Sequence, residues 1–148
     1  PWLKAAAGAA SFGLAAFLIA SLLMQGPGVT WAPFSDDALK EAARQKRPVV
    51  IDFYAAWCAP CRELDEITFH DAAVVKKAQN GFVMIKVDVT KGGNPTHERL
   101  LQEYAIKGVP TVVFLNADGK ECHDLRLLDF LPPDQMLNRM NRLQNNCS

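Results

Sequence analysis

The sequence predicts an α/β domain: a mixed sheet with helices on both faces, preceded by one hydrophobic helix. Three observations carry this. Val49–Tyr54, Phe82–Val89 and Val112–Leu115 are apolar runs of strand length, of the kind that is covered on both faces of a sheet. Stretches with helix caps and helical spacing separate them, which is the order of a βαβ unit. The third run leads straight into Asn116-Ala117-Asp118-Gly119, a turn that joins antiparallel neighbours. A chain of 148 residues is long enough for one real core plus an appendage. Its 16 Lys and Arg balance 16 Asp and Glu, which argues against a nucleic-acid face.

The appendage comes first. Ala5 to Met24 is a run of 20 uncharged residues, about 30 Å as a helix and enough to cross a hydrocarbon core. It reads as a membrane-spanning helix within residues 1–25. A signal-peptide core and a buried soluble helix are the alternatives. Ala5, Ala9 and Gly13 stand at a spacing that suits packing between membrane helices. Lys4 before the run favours the N-terminus inside and the following domain outside. The chain starts at Pro1 rather than Met, so it reads as a fragment or a processed product.

Residues 26–34 read as a linker and 35–148 as the folded domain. Ser35-Asp36-Asp37 is a helix start, with a capping hydroxyl and first-turn acids, and Pro48 stops that helix. Arg44, Lys46 and Arg47 near its end complement the helix dipole or, alternatively, form a patch for anionic headgroups. Val49–Tyr54 follows as a strand, interrupted by Asp52. A helix starts at the Cys58/Cys61 segment and runs to about Val75 or Lys77, broken near Thr68-Phe69-His70-Asp71. After the strand Phe82–Val89, Asn94 caps a helix with Pro95 in its first turn, ending near Tyr104. Gly108-Val109-Pro110-Thr111 leads into the third strand, and a fourth is expected from about Glu121 to Leu127. Met136, Leu137, Met140 and Leu143 define the buried face of a last helix from Pro133-Asp134.

Trp57-Cys58-Ala59-Pro60-Cys61 carries the chemistry. Two cysteines two residues apart either close a small disulfide ring or grip a metal. A zinc site needs a second ligand pair at finger-like spacing; Cys122, Cys147 and three scattered histidines do not provide it. A strand feeding a helix start instead sets Cys58 over free backbone N–H groups, where the dipole favours the nucleophilic thiolate. Pro60 fits the first turn because its missing N–H costs little there. The segment is therefore read as a redox dithiol, with Cys58 as the more exposed nucleophile and Cys61 as the resolving thiol. A carboxylate within a buried strand, as at Asp52, is costly unless paired or protonated. Asp65 stands one turn beyond Cys61 and can approach the same region. Cys122 and Cys147 either form a second disulfide or remain free thiols; a final helix folding back makes the pairing conceivable.

The Asp six positions before Cys58, the Trp-Cys-Ala-Pro-Cys turn and the later Gly-Val-Pro-Thr resemble the thioredoxin superfamily over about Ser35 to Leu143. Thr68-Phe69-His70-Asp71, Val87-Asp88-Val89-Thr90 and the preceding hydrophobic run resemble more closely the C-terminal periplasmic domain of DsbD-type thiol:disulfide interchange proteins. Ala59-Pro60 between the cysteines is more like general thioredoxins. The resemblance implies a thioredoxin-like mixed sheet and catalytic roles for Cys58, Cys61, Asp52 and Asp65. Asp52 would be the buried proton acceptor for Cys61, and Asp65 a second acid that holds the thiol pKa up. It implies a cis bond before Pro110, with Val109 offering its backbone to an extended partner and Trp57 and Pro60 completing the contact surface. No cofactor beyond the Cys58–Cys61 disulfide and no metal are implied. The expected activity is that of a membrane-tethered protein-disulfide reductase in a bacterial inner membrane, facing the periplasm. It would take electrons from a membrane-embedded dithiol domain and pass them to periplasmic thioredoxin-like or disulfide-bonded proteins. A singly anchored reductase for cytochrome c maturation and a non-catalytic docking module remain alternatives.

Overall fold

The computed structural model describes residues 26–145 and Cys147. The expected membrane helix within 1–25 lies outside these. Among the described residues no helix is long and apolar enough to cross a membrane. The strands are β1 (Ala32–Pro33), β2 (Val49–Tyr54), β3 (Val83–Asp88) and β4 (Thr111–Leu115). The helices are α1 (Asp36–Arg44), α2 (Ala59–Glu63), α3 (Ala72–Gln79), α4 (Pro95–Glu103) and α5 (Pro133–Gln144). α2 runs on as a π-helical turn over Leu64–Thr68.

The sheet order is β1-β3-β2-β4. β3 runs parallel to both β1 and β2, and β4 runs antiparallel to β2. Successive side chains of β2 alternate between the faces. Ile51 and Phe53 join Ile85, Val87 and Leu100 in one core, on the side where α1 contributes Ala42 and α4 Leu100. Val50 joins Leu64, Phe69, Val74, Met136 and Met140 in the other, from α2 and its extension, α3 and α5. Asp52 falls on this second face, and its register partner is Lys86 on β3.

Helix ends follow the sequence chemistry. Ser35 Oγ accepts from Ala38 N at 3.0 Å, Asp71 Oδ1 from Ala73 N and Val74 N at 2.9 and 3.1 Å, and Asn94 Oδ1 from Thr96 N at 3.0 Å. Each satisfies donors that the first helical turn leaves open. Gly119 takes a φ of +77° in the turn after β4, a conformation that costs glycine little. The basic cluster is internally engaged: Arg44 bonds Glu41, Lys46 pairs with Asp118 at 2.6 Å, and Arg47 donates to Phe82 O at 2.6 Å.

Two expectations about the course of the chain differ from the structure. The fourth strand does not form: Glu121 and Leu127 make isolated bridges to Leu115 and Val112, and His123–Leu125 closes a 3₁₀ turn between them. Burial of Leu125 pulls the chain inward there, so continuous pairing is lost. In the stretch expected as a linker, Val29 is buried and Ala32–Pro33 pair with Ile85 and Lys86, so it packs as part of the domain. Cys122 and Cys147 form a disulfide with their Cα atoms 5.9 Å apart, fastening the end of α5 to the turn after β4.

Candidate active site

The site forms where β2 ends and α2 begins. Cys58 is the N-cap of α2, and Cys61 N donates to Cys58 Sγ at 3.2 Å. The two sulfurs are joined, with Cα atoms 5.3 Å apart. Cys58 N donates to Ala55 O, and Pro60 sits in the first helical turn. The expectation that Cys58 is the more exposed cysteine fails. Both cysteines are buried, at 4% and 5% exposure, because Ala55, Tyr54, Val89 and Val109 pack around the ring. Their inequality is one of position: Cys58 caps the helix and Cys61 lies within it. Trp57, in contrast, is 70% exposed.

The loop after β3 braces this turn. Ala56 N donates to Thr90 Oγ1 at 2.9 Å, and Thr90 N to Asp88 Oδ1 at 2.8 Å. From the other side comes Val109–Pro110, a cis peptide. Val109 packs against the disulfide cluster, and neither its N–H nor its C=O makes a backbone hydrogen bond among the described residues. Those groups are open to an extended strand from a partner. A cleft of about 560 Å³ adjoins them, lined by Ala105, Lys107, Pro110, Arg126 and Leu128 among others. Arg126 is held there by Glu121 at 2.7 Å and by Tyr104 O at 2.8 Å.

On β2, the strand that leads into this turn, Asp52 is 3% exposed, and its Oδ1 has no hydrogen-bond partner among the described residues. Burial pushes its carboxyl up to about 7; the Lys86 ammonium pulls it down and the Asp65 charge pushes it up. Asp65 does reach this region, where Lys86 Nζ lies 2.7 Å from its Oδ1. Lys86 is the residue that sequence reasoning missed. The available signal was a single lysine inside an apolar strand, in a position able to face Asp52 across a parallel pair.

The family described as thioredoxin-like is matched over residues 30–117. The chain belongs to that family. This thioredoxin-like chain is 38% identical over 104 residues to the thiol:disulfide interchange protein DsbD of Vibrio vulnificus, an alignment covering 70% of the chain and 17% of that protein. It is 40% identical over 96 residues to the Klebsiella pneumoniae DsbD, covering 65% and 15%. The chain thus spans about a sixth of the length of these curated relatives. Among solved structures, the reduced C-terminal domain of Neisseria meningitidis DsbD superposes with a TM-score of 0.62 at 29% identity, covering 76% of this chain and all of that one. The oxidoreductase DsbH superposes at 0.68 with 17% identity, over 82% and 88%, and shows the fold alone.

Proposed function

We propose that this chain is a thiol–disulfide oxidoreductase working through the Cys58–Cys61 pair. The observation that carries the reading is the disulfide ring at the mouth of α2, packed against Val109 with its backbone unpaired. In the reduced state the Cys58 thiolate attacks one sulfur of a partner disulfide and expels the other as a thiolate. Cys61 then gives its proton to the Asp52 carboxylate and attacks Cys58 Sγ, releasing the second partner thiolate. Two electrons pass from the dithiol to the partner's disulfide, and the oxidised ring seen here is the product. Asp52 suits the proton transfer because a carboxyl brought up to about 7 gains and loses a proton near neutrality.

The finer reading is an electron donor in the periplasm, tethered to the inner membrane through residues 1–25. It would be reduced by a membrane-embedded dithiol and would reduce periplasmic thioredoxin-like or disulfide-bonded proteins. Support comes from the likeness to DsbD C-terminal sequence and structure and from the uncharged run at Ala5 to Met24. The pair Ala59-Pro60 favours a second arrangement, a singly anchored reductase for cytochrome c maturation. The sequence upstream of Pro1 separates the two, since further hydrophobic spans belong to the first alone.

Cys58→Ser is expected to abolish mixed disulfides with a disulfide-bonded substrate, and Cys61→Ser to trap them. Equal behaviour of the two variants on a non-reducing gel would refute the assigned roles. Equilibration with dithiothreitol should place the potential toward the reducing end of a range that runs from about −270 to about −120 mV in such folds. A value near the upper limit excludes the donor role. Insulin reduction in the presence of dithiothreitol distinguishes the enzyme from a docking module, which would not accelerate it.

A further inference from the structure

The segment that leads into the domain packs on the end of the π-helical turn that follows α2 and on the edge of β3. Val29 N donates to Phe69 O at 2.8 Å. A Cβ on Gly28 would come within 2.7 Å of the His70 ring, whose Nδ1 lies 2.5 Å from Asp65 O. Trp31 meets Phe69 edge-on, with ring centroids 4.8 Å apart, and β1 pairs Pro33 with Lys86 itself. These contacts aim one aromatic face at one ammonium. Lys86 Nζ lies 5.2 Å from the Trp31 ring centroid and 4.6 Å from that of Tyr54, while Asp65 takes it at 2.7 Å.

A lysine stem is long and flexible, and the Asp65 carboxylate that holds Lys86 is itself 41% exposed. An ion pair with one exposed partner does little to fix an ammonium. Two ring faces add attraction by their quadrupoles and exclude water from two sides. Where Lys86 stands matters because it is the positive charge acting on Asp52. The other groups around it are the Asp65 carboxylate from the π-helical turn and the Tyr54 phenol on β2, which burial and then the Asp88 charge push up from its ordinary pKa. His70 stands behind through its contact with Asp65 O.

We propose that Trp31 is a positioning residue for thiol exchange: its ring holds Lys86 between Asp65 and Asp52 and so sets the charge environment in which Cys61 gives up its proton. This rests on the oxidoreductase reading above. Its consequence is that the chain just after the hydrophobic run tunes the dithiol, although Trp31 touches neither sulfur.

The reduced 148-residue chain in detergent is mixed with an aromatic chromogenic disulfide, and the coloured thiolate is followed by stopped flow across a pH series. The first thiolate reports attack by Cys58, and the second reports displacement by Cys61. In Trp31→Leu, which keeps apolar packing on Phe69 and loses the larger aromatic face, the second phase is expected to move up by about half a pH unit. It slows about twofold at neutral pH, since raising an acceptor that titrates at about 7 by half a unit takes its proton-free fraction from about one half to about one quarter. Trp31→Phe should stay with the wild type. Lys86→Met should shift the profile the same way, and adding Trp31→Leu to it should change nothing more. A Trp31→Leu profile that superposes on the wild type overturns the proposal, as does a shift that persists in the Lys86→Met background. Should Trp31→Leu fail to fold, an unshifted Lys86→Met profile overturns it equally. A wild-type chain that releases no second thiolate overturns the oxidoreductase reading, and this proposal with it.

Discussion

Replacing Asp52 by Asn is expected to stabilise the oxidised protein, and to do so only where the pH is high enough. The carboxyl ordinarily titrates near 3.8 and is brought up to about 7 by burial. The folded chain therefore keeps a proton that the unfolded chain releases, and stability contributed below the unfolded value is lost as pH rises through the folded one. At about 1.4 kcal/mol per unit, the complete effect is about 4 kcal/mol. Asn cannot ionise, so the variant escapes this loss. Its amide brings a desolvation cost of its own, but that cost does not vary with pH. Urea unfolding of wild type and Asp52→Asn should thus diverge from about pH 4 to about pH 7, the variant gaining roughly 3 to 4 kcal/mol over that window. Keeping both disulfides closed removes the cysteines from the titration. Parallel stability curves, or a variant that loses ground as pH rises, would show that Asp52 is charged and satisfied in the fold. The same variant should slow the Cys61 step near neutral pH, because the proton acceptor is gone.

Three further outcomes are expected. Cys147→Ser opens a cross-link with a sequence separation of 25 and should lower stability by about 3 kcal/mol in thermal or urea unfolding, with exchange by Cys58 and Cys61 unchanged. A stability equal to wild type under oxidising conditions contradicts the pairing. Asp71→Ala removes the acceptor for Ala73 N and Val74 N and should cost about 1 kcal/mol in urea unfolding; no loss would mean that water replaces the cap. Leu125→Ala empties a fully buried position under the 3₁₀ turn and should cost about 2 to 5 kcal/mol, read as a drop in the urea midpoint at constant slope.

The parts legible in the sequence were those whose cause is local. Caps at Ser35 and Asn94 are set by a side chain and the backbone two or three residues on. The Cys58–Cys61 ring spans a single helical turn. The break near Thr68-Phe69-His70-Asp71 was also visible, although not that the helix before it widens to π geometry. What was hidden depends on distant partners. Two residues of β1, one of them proline, carry no strand pattern of their own and exist because β3 offers an edge. The expected strand over Glu121 to Leu127 had suitable composition but gave way to burial of Leu125. Lys86 became meaningful only once β2 and β3 were set in register. Equal burial of the two cysteines likewise follows from Val89 and Val109 closing over them, and neither is near them in sequence.

The edges of the sheet bear on how this protein meets others. β1 exposes only two residues beyond β3, and one is Pro33, which has no N–H to offer. The outer side of β4 is occupied by the bonds between Val112 and Leu127 and from Cys122 N to Phe114 O. Neither border is a ready template for unwanted strand pairing. Open backbone suited to an incoming extended chain remains at Val109, against the disulfide cluster. On the function proposed above, a stranger that adds itself to this molecule as a strand would thereby be led to the sulfurs, so that adhesion and reaction would share one address.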